Sequence, residues 1–354
     1  MTYARPRSVV CCLVAGLLAL ASGAGLAADE SKNETREEAP QYELGSGLRL
    51  GNSGLHVGGY GSLEYSASEN AKPDFALSHA DLFLWWEGQS GLKFFSEVDG
   101  EYELATERNP SLGEQRILSL ARLYLDDTLT DAVTVRVGKF LTPIGRWNLI
   151  HADPLVWTTS RPLPTKDPFP QSATGAMALG TFSLLGRPID YNVYVSANGD
   201  FHRDANETEF HRAIGLHFNV PVDDATQVGF SYVNFSQNPD PQNHQDLVGL
   251  DLLWSRHGYE VMGEAIRRVS SQGSQSNELG GYLQGVVPLV GRLYGVVRLE
   301  GFHQAFPEQT IRDGVAGLAY RQSRAVSYKA EVDRSVFSTG GGSVSFLASV
   351  SVLF

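Results

Sequence analysis

The sequence predicts an all-β fold: a transmembrane antiparallel β-barrel of about sixteen strands, each about ten residues long. Three observations carry that expectation. Apolar residues recur at every second position from Leu55 onward, where a helix would repeat them every three to four. Connections alternate between short and long over the same stretch, as they do when a membrane barrel separates its two rims. Beyond residue 28 no uninterrupted apolar run is long enough for a membrane helix, so any crossing must use strands. Strands in lipid must close on themselves, because every backbone polar group there needs a partner.

Residues 1–28 read as a secretory signal peptide. Arg5 and Arg7 precede an apolar run over 9–20, and small residues lead to a cleavage point near Ala27 or Ala28. Both cysteines of the chain, Cys11 and Cys12, fall inside this segment. The exported chain is therefore expected to lack a disulfide framework, a cysteine zinc site and a thiol nucleophile. No metal ligand set and no cofactor are expected. The formal net charge is −12, and loss of Arg5 and Arg7 deepens it, which argues against nucleic acid as a partner. Residues 29–54 form a polar periplasmic lead-in. Within it, 44–51 is glycine-rich but has neither the preceding buried strand nor the following helix of a dinucleotide loop, and reads as strand or turn.

The barrel is assigned to 55–354. Leu55, Val57, Leu63 and Tyr65 share a face against His56, Tyr60 and Glu64. The next run, 75–87, sets Ala80, Leu82, Leu84 and Trp86 opposite Asp81, Phe83 and Trp85. Leu92, Phe94 and Val98 then oppose Lys93, Glu97, Asp99 and Glu101, and Leu123 and Leu125 oppose Arg122, Tyr124 and Asp126. A strand over 133–140 follows, and similar runs continue from 175 to the end. Short turns at 87–91, 127–131, 185–187, 221–224, 255–257, 288–290 and 322–325 are expected on the periplasmic rim. Longer loops at 66–74, 103–116, 141–174, 199–209, 236–244, 269–277, 303–311 and 336–342 are expected on the extracellular rim. In the last run, Val344, Phe346, Ala348, Val350, Val352 and Phe354 alternate with serines. Trp86, Trp254, Tyr259, Tyr320, Tyr328 and Phe354 fall at strand ends beside short turns, where an interfacial girdle belongs.

The connection over 141–174 stands apart. Pro143, Pro154, Pro162, Pro164, Pro168 and Pro170 make it a poor helix and a poor strand. An irregular connection of that length in a compact domain points to function. It is the third long connection, and it carries Arg146, His151, Asp153, Arg161, Lys166 and Asp167 beside Trp147 and Trp157. Folded into a water-filled barrel, these residues would set the bore, with Arg122 and Arg136 on neighbouring strands adding to the field that sorts solutes.

Residues 135–148 (VRVGKFLTPIGRWN), followed by His151-Ala152-Asp153-Pro154, resemble the phosphate-selective porin O/P family and its porin-like relatives. The resemblance implies a sixteen-stranded, homotrimeric barrel in the bacterial outer membrane, whose third long loop constricts a channel for passive diffusion of small hydrophilic solutes. It also implies an anion preference resting on lumenal arginines and lysines, although here Glu97, Asp99, Glu101, Asp153 and Asp167 dilute them. The final strand ending in Phe354 resembles the signal read by the barrel-assembly machinery. The partners implied are that machinery, outer-membrane lipid and lipopolysaccharide. No enzymatic activity is expected. Two alternatives stand beside this reading: an outer-membrane hydrolase using His151 with Asp153, or Asn243, His244 and Asp246, and a closed structural or adhesive barrel with a plugged lumen.

Overall fold

The computed structural model describes residues 39–69, 71–88, 90–103, 116–166, 168–197, 199–200, 208–272 and 277–354. The signal-peptide assignment and the first ten residues of the lead-in, 29–38, lie outside them. A small hairpin comes first, β1 (Gln41–Glu43) and β2 (Gly47–Arg49). The barrel strands are β3 (Leu55–Ser68), β4 (Ala71–Glu87), β5 (Leu92–Glu103), β6 (Arg116–Thr130), β7 (Val133–Leu141), β8 (Ser172–Leu184), β9 (Arg187–Ala197) and β10 (Phe210–Pro221). They continue as β11 (Thr226–Gln237), β12 (Gln245–Arg256), β13 (Tyr259–Ser270), β14 (Glu278–Val290), β15 (Leu293–Gln304), β16 (Gln309–Arg321), β17 (Val326–Phe337) and β18 (Gly342–Leu353).

Each strand pairs antiparallel with the next, and β18 pairs back onto β3, closing a sixteen-stranded barrel. The seam runs from Ser345↔Ser68 to Leu353↔Tyr60, and Phe354 and Gly59 exchange backbone hydrogen bonds of 2.8 Å in both directions. Ser62 and Ser351 join their hydroxyls across it at 3.1 Å. Gly59 is required here: a Cβ would lie 2.0 Å from the Asp81 carbonyl oxygen and 3.0 Å from the Phe354 ring.

The two faces are inverted relative to a water-soluble protein. Val137, Ile214, Leu250, Leu283 and Leu299 are more than half exposed on the outer face. Glu97, Asp251, Glu264, Arg298, Lys329 and Glu331 are buried on the inner one. That is the distribution a barrel needs when lipid lies outside and the lumen is polar. Tyr259, Tyr320 and Tyr328 stand exposed at the short-turn rim, with the last two rings 6.2 Å apart. Among the described residues no helix is long and apolar enough to cross a membrane.

The strand count agrees with the sequence, but several long-rim loops do not. The connection expected over 66–74 is strand up to Ser68 and again from Ala71. Those expected over 303–311 and 336–342 shrink to 305–308 and 338–341. The reason at the first is a bulge. β3 and β4 pair Ser62↔His79 and then Leu63↔Leu77, leaving Ser78 as the extra residue. The parity therefore flips, so Phe75 and Leu77 share the outer face with Ala80 and Leu82, and a strict period of two breaks at that point.

Candidate functional site

The segment between β7 and β8 turns into the barrel and lies against the inner wall of β10–β18. Its ends are tied together first. The Asn148 amide donates to the carbonyls of Thr142 and Gln171, both at 2.8 Å, and the Thr142 hydroxyl donates to Pro170 O at 2.8 Å. Arg161 donates to Gln171 Oε1 (2.6 Å), Thr165 O (2.7 Å) and Asn148 Oδ1 (3.0 Å). Prolines keep the path irregular, so among its described residues only one helical turn, α1 (Trp147–Ile150), and a 3-10 turn at Leu163–Thr165 form.

An irregular backbone placed in a barrel needs partners for its polar groups, and buried wall charges supply them. Glu264 on β13 accepts from the backbone N–H of Trp147 (2.7 Å) and Arg146 (3.0 Å) and from the Tyr282 hydroxyl (3.0 Å). Gly145, at φ +66°, makes this approach possible, since a Cβ there would fall 1.9 Å from the Glu264 carboxylate. Further along, Glu331 accepts from the N–H of Thr159 (3.0 Å) and Ser160 (2.7 Å), and Glu300 from that of Leu163 (2.6 Å). Arg298 donates to Thr158 Oγ1 (2.7 Å), Ser160 O (2.9 Å) and Ser160 Oγ (2.7 Å), and Lys329 to Asp153 O (2.8 Å). Apolar contacts lie between these anchors. Phe140, Ile144 and Phe169 pack with Tyr194, Phe235 and Phe302, and Trp147 and Val156 with Met262 and Tyr282.

The site residues expected from sequence separate into groups. His151, Asp153 and Arg161 come together on one cavity of about 250 Å³, facing Glu64, His79, Asp81, Glu97 and Asp99 on β3–β5. The His151 Nδ1 lies 3.2 Å from Asn148 O, and burial, with Arg122, Arg161 and His79 nearby, pushes its imidazole down to about 3, so it is neutral at physiological pH. Arg146 lies on a second cavity of about 380 Å³ with Trp157, His217 and Asn219. It is paired with Asp251 at 2.7 Å, and also donates to Gln227 (2.9 Å) and Asn219. Arg122 is paired with Glu97 and lies over the Phe95 ring. Arg136 makes a two-pronged contact with Asp126 (2.7 and 2.8 Å) over Tyr124, away from either cavity lining. Lys166 is exposed and lines neither cavity, and Asp167 lies outside the described residues.

Sequence reading missed the wall residues that hold the segment, Glu264, Arg298, Glu300, Lys329 and Glu331, and it missed Glu64 and His79 on the cavity. Inward parity was the available signal, but parity alone does not distinguish a charge bathed in lumenal water from one that anchors backbone. Of the hydrolase candidates, Asp246 is exposed and accepts from Tyr232 and Asn234, and His244 Nδ1 lies 3.0 Å from Arg212.

No protein-family model matches the sequence. An uncharacterized protein of Aquifex aeolicus (strain VF5) is 25% identical, over 59% of this chain and 51% of that protein, so the chain spans about half the length of the curated relative it matches. Solved outer-membrane barrels are similar in structure. OmpF of Salmonella typhi, in complex with daunomycin, matches with TM-score 0.62 at 9% identity, covering 86% of this chain and 99% of that one. The anion-selective porin from Comamonas acidovorans matches with TM-score 0.57 at 11% identity, covering 85% and 99%. A loop L8 deletion mutant of OmpT, an outer membrane protein of Vibrio cholerae, matches with TM-score 0.58 at 9% identity, covering 85% and 99%. At these identities the likeness is one of fold, and the fold is that of the outer-membrane porin barrels.

Proposed function

We propose that this chain is an outer-membrane diffusion channel for small hydrophilic solutes and ions, narrowed by the segment over 142–171. One observation carries the reading: buried charges of β13, β15 and β17, together with the Ser231 hydroxyl of β11, hydrogen-bond the backbone of that segment, which supports its seat inside the lumen. A cavity of about 250 Å³ remains between the segment and β3–β5, and this is the path proposed for solutes. Its lining holds five acids, Glu64, Asp81, Glu97, Asp99 and Asp153, of which Glu97 is paired with Arg122, against Lys139, Arg161 and two histidines. Lys139 is paired with Asp200 at 2.5 Å, and Arg122 and Arg146 are neutralised by Glu97 and Asp251. The arginines behind an anion preference are thus largely spoken for, and the remaining field favours cations. The likeness of residues 135–154 to phosphate-selective porins is compatible with the path of the loop and not with this charge. Export through residues 1–28, insertion through the strand ending in Phe354, contact with lipid and lipopolysaccharide, and assembly as a homotrimer belong to the same proposal.

Because the only cysteines lie in residues 1–28, a single introduced thiol can be labelled cleanly. His151→Cys, reconstituted in a planar bilayer, should lose current when a water-soluble thiol reagent is added. Current that persists after complete labelling would refute the constriction.

A further inference from the structure

We propose that His79, Asp81 and Asp99 form a binding site for a divalent metal cation on the lumenal wall. Two breaks in strand pairing at one height flank it. His79 shares the inner face with Asp81, two residues on, and the bulge at Ser78 lies directly beside it. The β4–β5 register then jumps from Leu77↔Tyr102 to Leu82↔Val98, so the ladder is interrupted where Asp99 of β5 faces the pair. Bulges commonly re-aim side chains beside functional sites. The three residues each offer one ligand atom, all within 4.8 Å of one another.

The second observation is independent of the clustering. Asp81 is 2% exposed and lines the cavity, with the Tyr60 hydroxyl and the His79 imidazole beside it, yet neither of its carboxylate oxygens accepts a hydrogen bond of ordinary geometry. Asp99 Oδ1 and His79 Nδ1 are likewise buried without a hydrogen-bond partner. A buried carboxylate without a well-formed hydrogen bond is costly, and buried charges are ordinarily paired or bound to a metal. Protonation of His79 supplies charge but not contact. Its Nδ1 lies 3.7 Å from Asp81 Oδ2 and 3.5 Å from Asp99 Oδ1, beyond the usual N–H···O range of about 2.7–3.2 Å. Those separations suit a shared ion better: metal–ligand bonds of about 2.0–2.2 Å around a tetrahedral centre set ligand atoms roughly 3.3–3.6 Å apart.

One imidazole and two carboxylates, with a position left toward the cavity for water, is a set that suits zinc and neighbouring divalent transition metals better than magnesium. Tyr60, whose ring centroid lies 5.6 Å from that of His79, closes the site on one side. A bound ion would bridge β4 and β5 where their ladder is broken and lower the acid excess of the cavity. The site requires only the wall of β4 and β5, so it stands or falls separately from the channel reading.

The test is equilibrium dialysis of the full chain, folded in detergent, against Zn²⁺ with excess Mg²⁺. One Zn²⁺ per chain is expected, with affinity falling at least tenfold in Asp81→Asn, in Asp99→Asn and in His79→Gln, and unchanged in Asp333→Asn, another inward acid. Far-ultraviolet circular dichroism confirms that each variant is folded, and anomalous scattering at the zinc edge locates the ion in the wild-type chain. Absence of stoichiometric uptake by the wild-type chain would overturn the proposal, even if a variant failed to fold. So would uptake that the three site variants leave intact, or that Asp333→Asn abolishes equally.

Discussion

Replacing Glu264 by alanine tests how the inward segment is held. The carboxylate accepts three hydrogen bonds, from the N–H of Trp147 at 2.7 Å, the N–H of Arg146 at 3.0 Å and the Tyr282 hydroxyl at 3.0 Å. Hydrogen bonds to a charged group contribute about 1.5–3 kcal/mol each, but they are not additive, and removing Glu264 also relieves the cost of burying its charge. A net loss of about 4 kcal/mol in docking is a fair estimate, within the usual range for breaking a buried charged contact. At about 1.4 kcal/mol per tenfold, the undocked fraction rises by about three orders of magnitude. The barrel itself should remain folded, because its ladders pass through position 264 by backbone pairing with Asp251 and Tyr282. Single-channel recording should show a larger, noisier conductance for Glu264→Ala, and a thiol at position 151 should be labelled faster. A conductance and labelling rate equal to those of the parent would refute the claim that this anchor fixes the bore.

Three further outcomes follow from the same geometry. Gly145→Ala should act in the same direction as Glu264→Ala, because the residue sits at φ +66° and its Cβ would meet the carboxylate at 1.9 Å; proteolysis of the segment in the folded barrel would reveal the release. Glu97→Gln should move the reversal potential toward anions, since it removes the partner of Arg122 and one of the cavity acids together, and an unmoved potential would show that this pair lies outside the ion path. The third concerns acid. Burial holds the His151 imidazole near 3, below the unfolded value of about 6.5, so protons bind the released segment in preference to the docked one. Its contribution to docking is therefore intact above pH 6.5 and falls by about 1.4 kcal/mol per unit from there toward pH 3. Labelling rates of the segment at pH 7 and pH 4 should differ, and His151→Gln should shrink that difference.

The fold was legible because lipid and lumen impose opposite solvents on alternate residues, and sixteen runs from Leu55 onward obey that rule. The inward segment was legible for a different reason, since its prolines forbid both regular structures over a length that surface loops rarely reach. Pairing was harder. Arg136 and Asp126 are direct cross-strand partners over the tight turn between β6 and β7, so the register of that hairpin alone would have exposed the neutralised charge. Arg122 and Glu97 are also direct partners, but a bulge at Ala121 follows and hides the register. Arg146 finds Asp251 more than a hundred positions away, a contact that only the path of the segment creates. The bulge at Ser78 likewise hides the outward aim of Phe75 and Leu77, whereas His79 shares the parity of Asp81 and needed only a reason to be singled out from other inward residues.

The most direct measurement is the reversal potential of the purified chain in a planar bilayer under a potassium chloride gradient. A water-filled barrel with an acidic eyelet predicts discrete conductance steps and a potential on the cation-selective side. A silent bilayer would contradict the channel itself, and a potential on the anion side would contradict the charge assigned to its narrowest part.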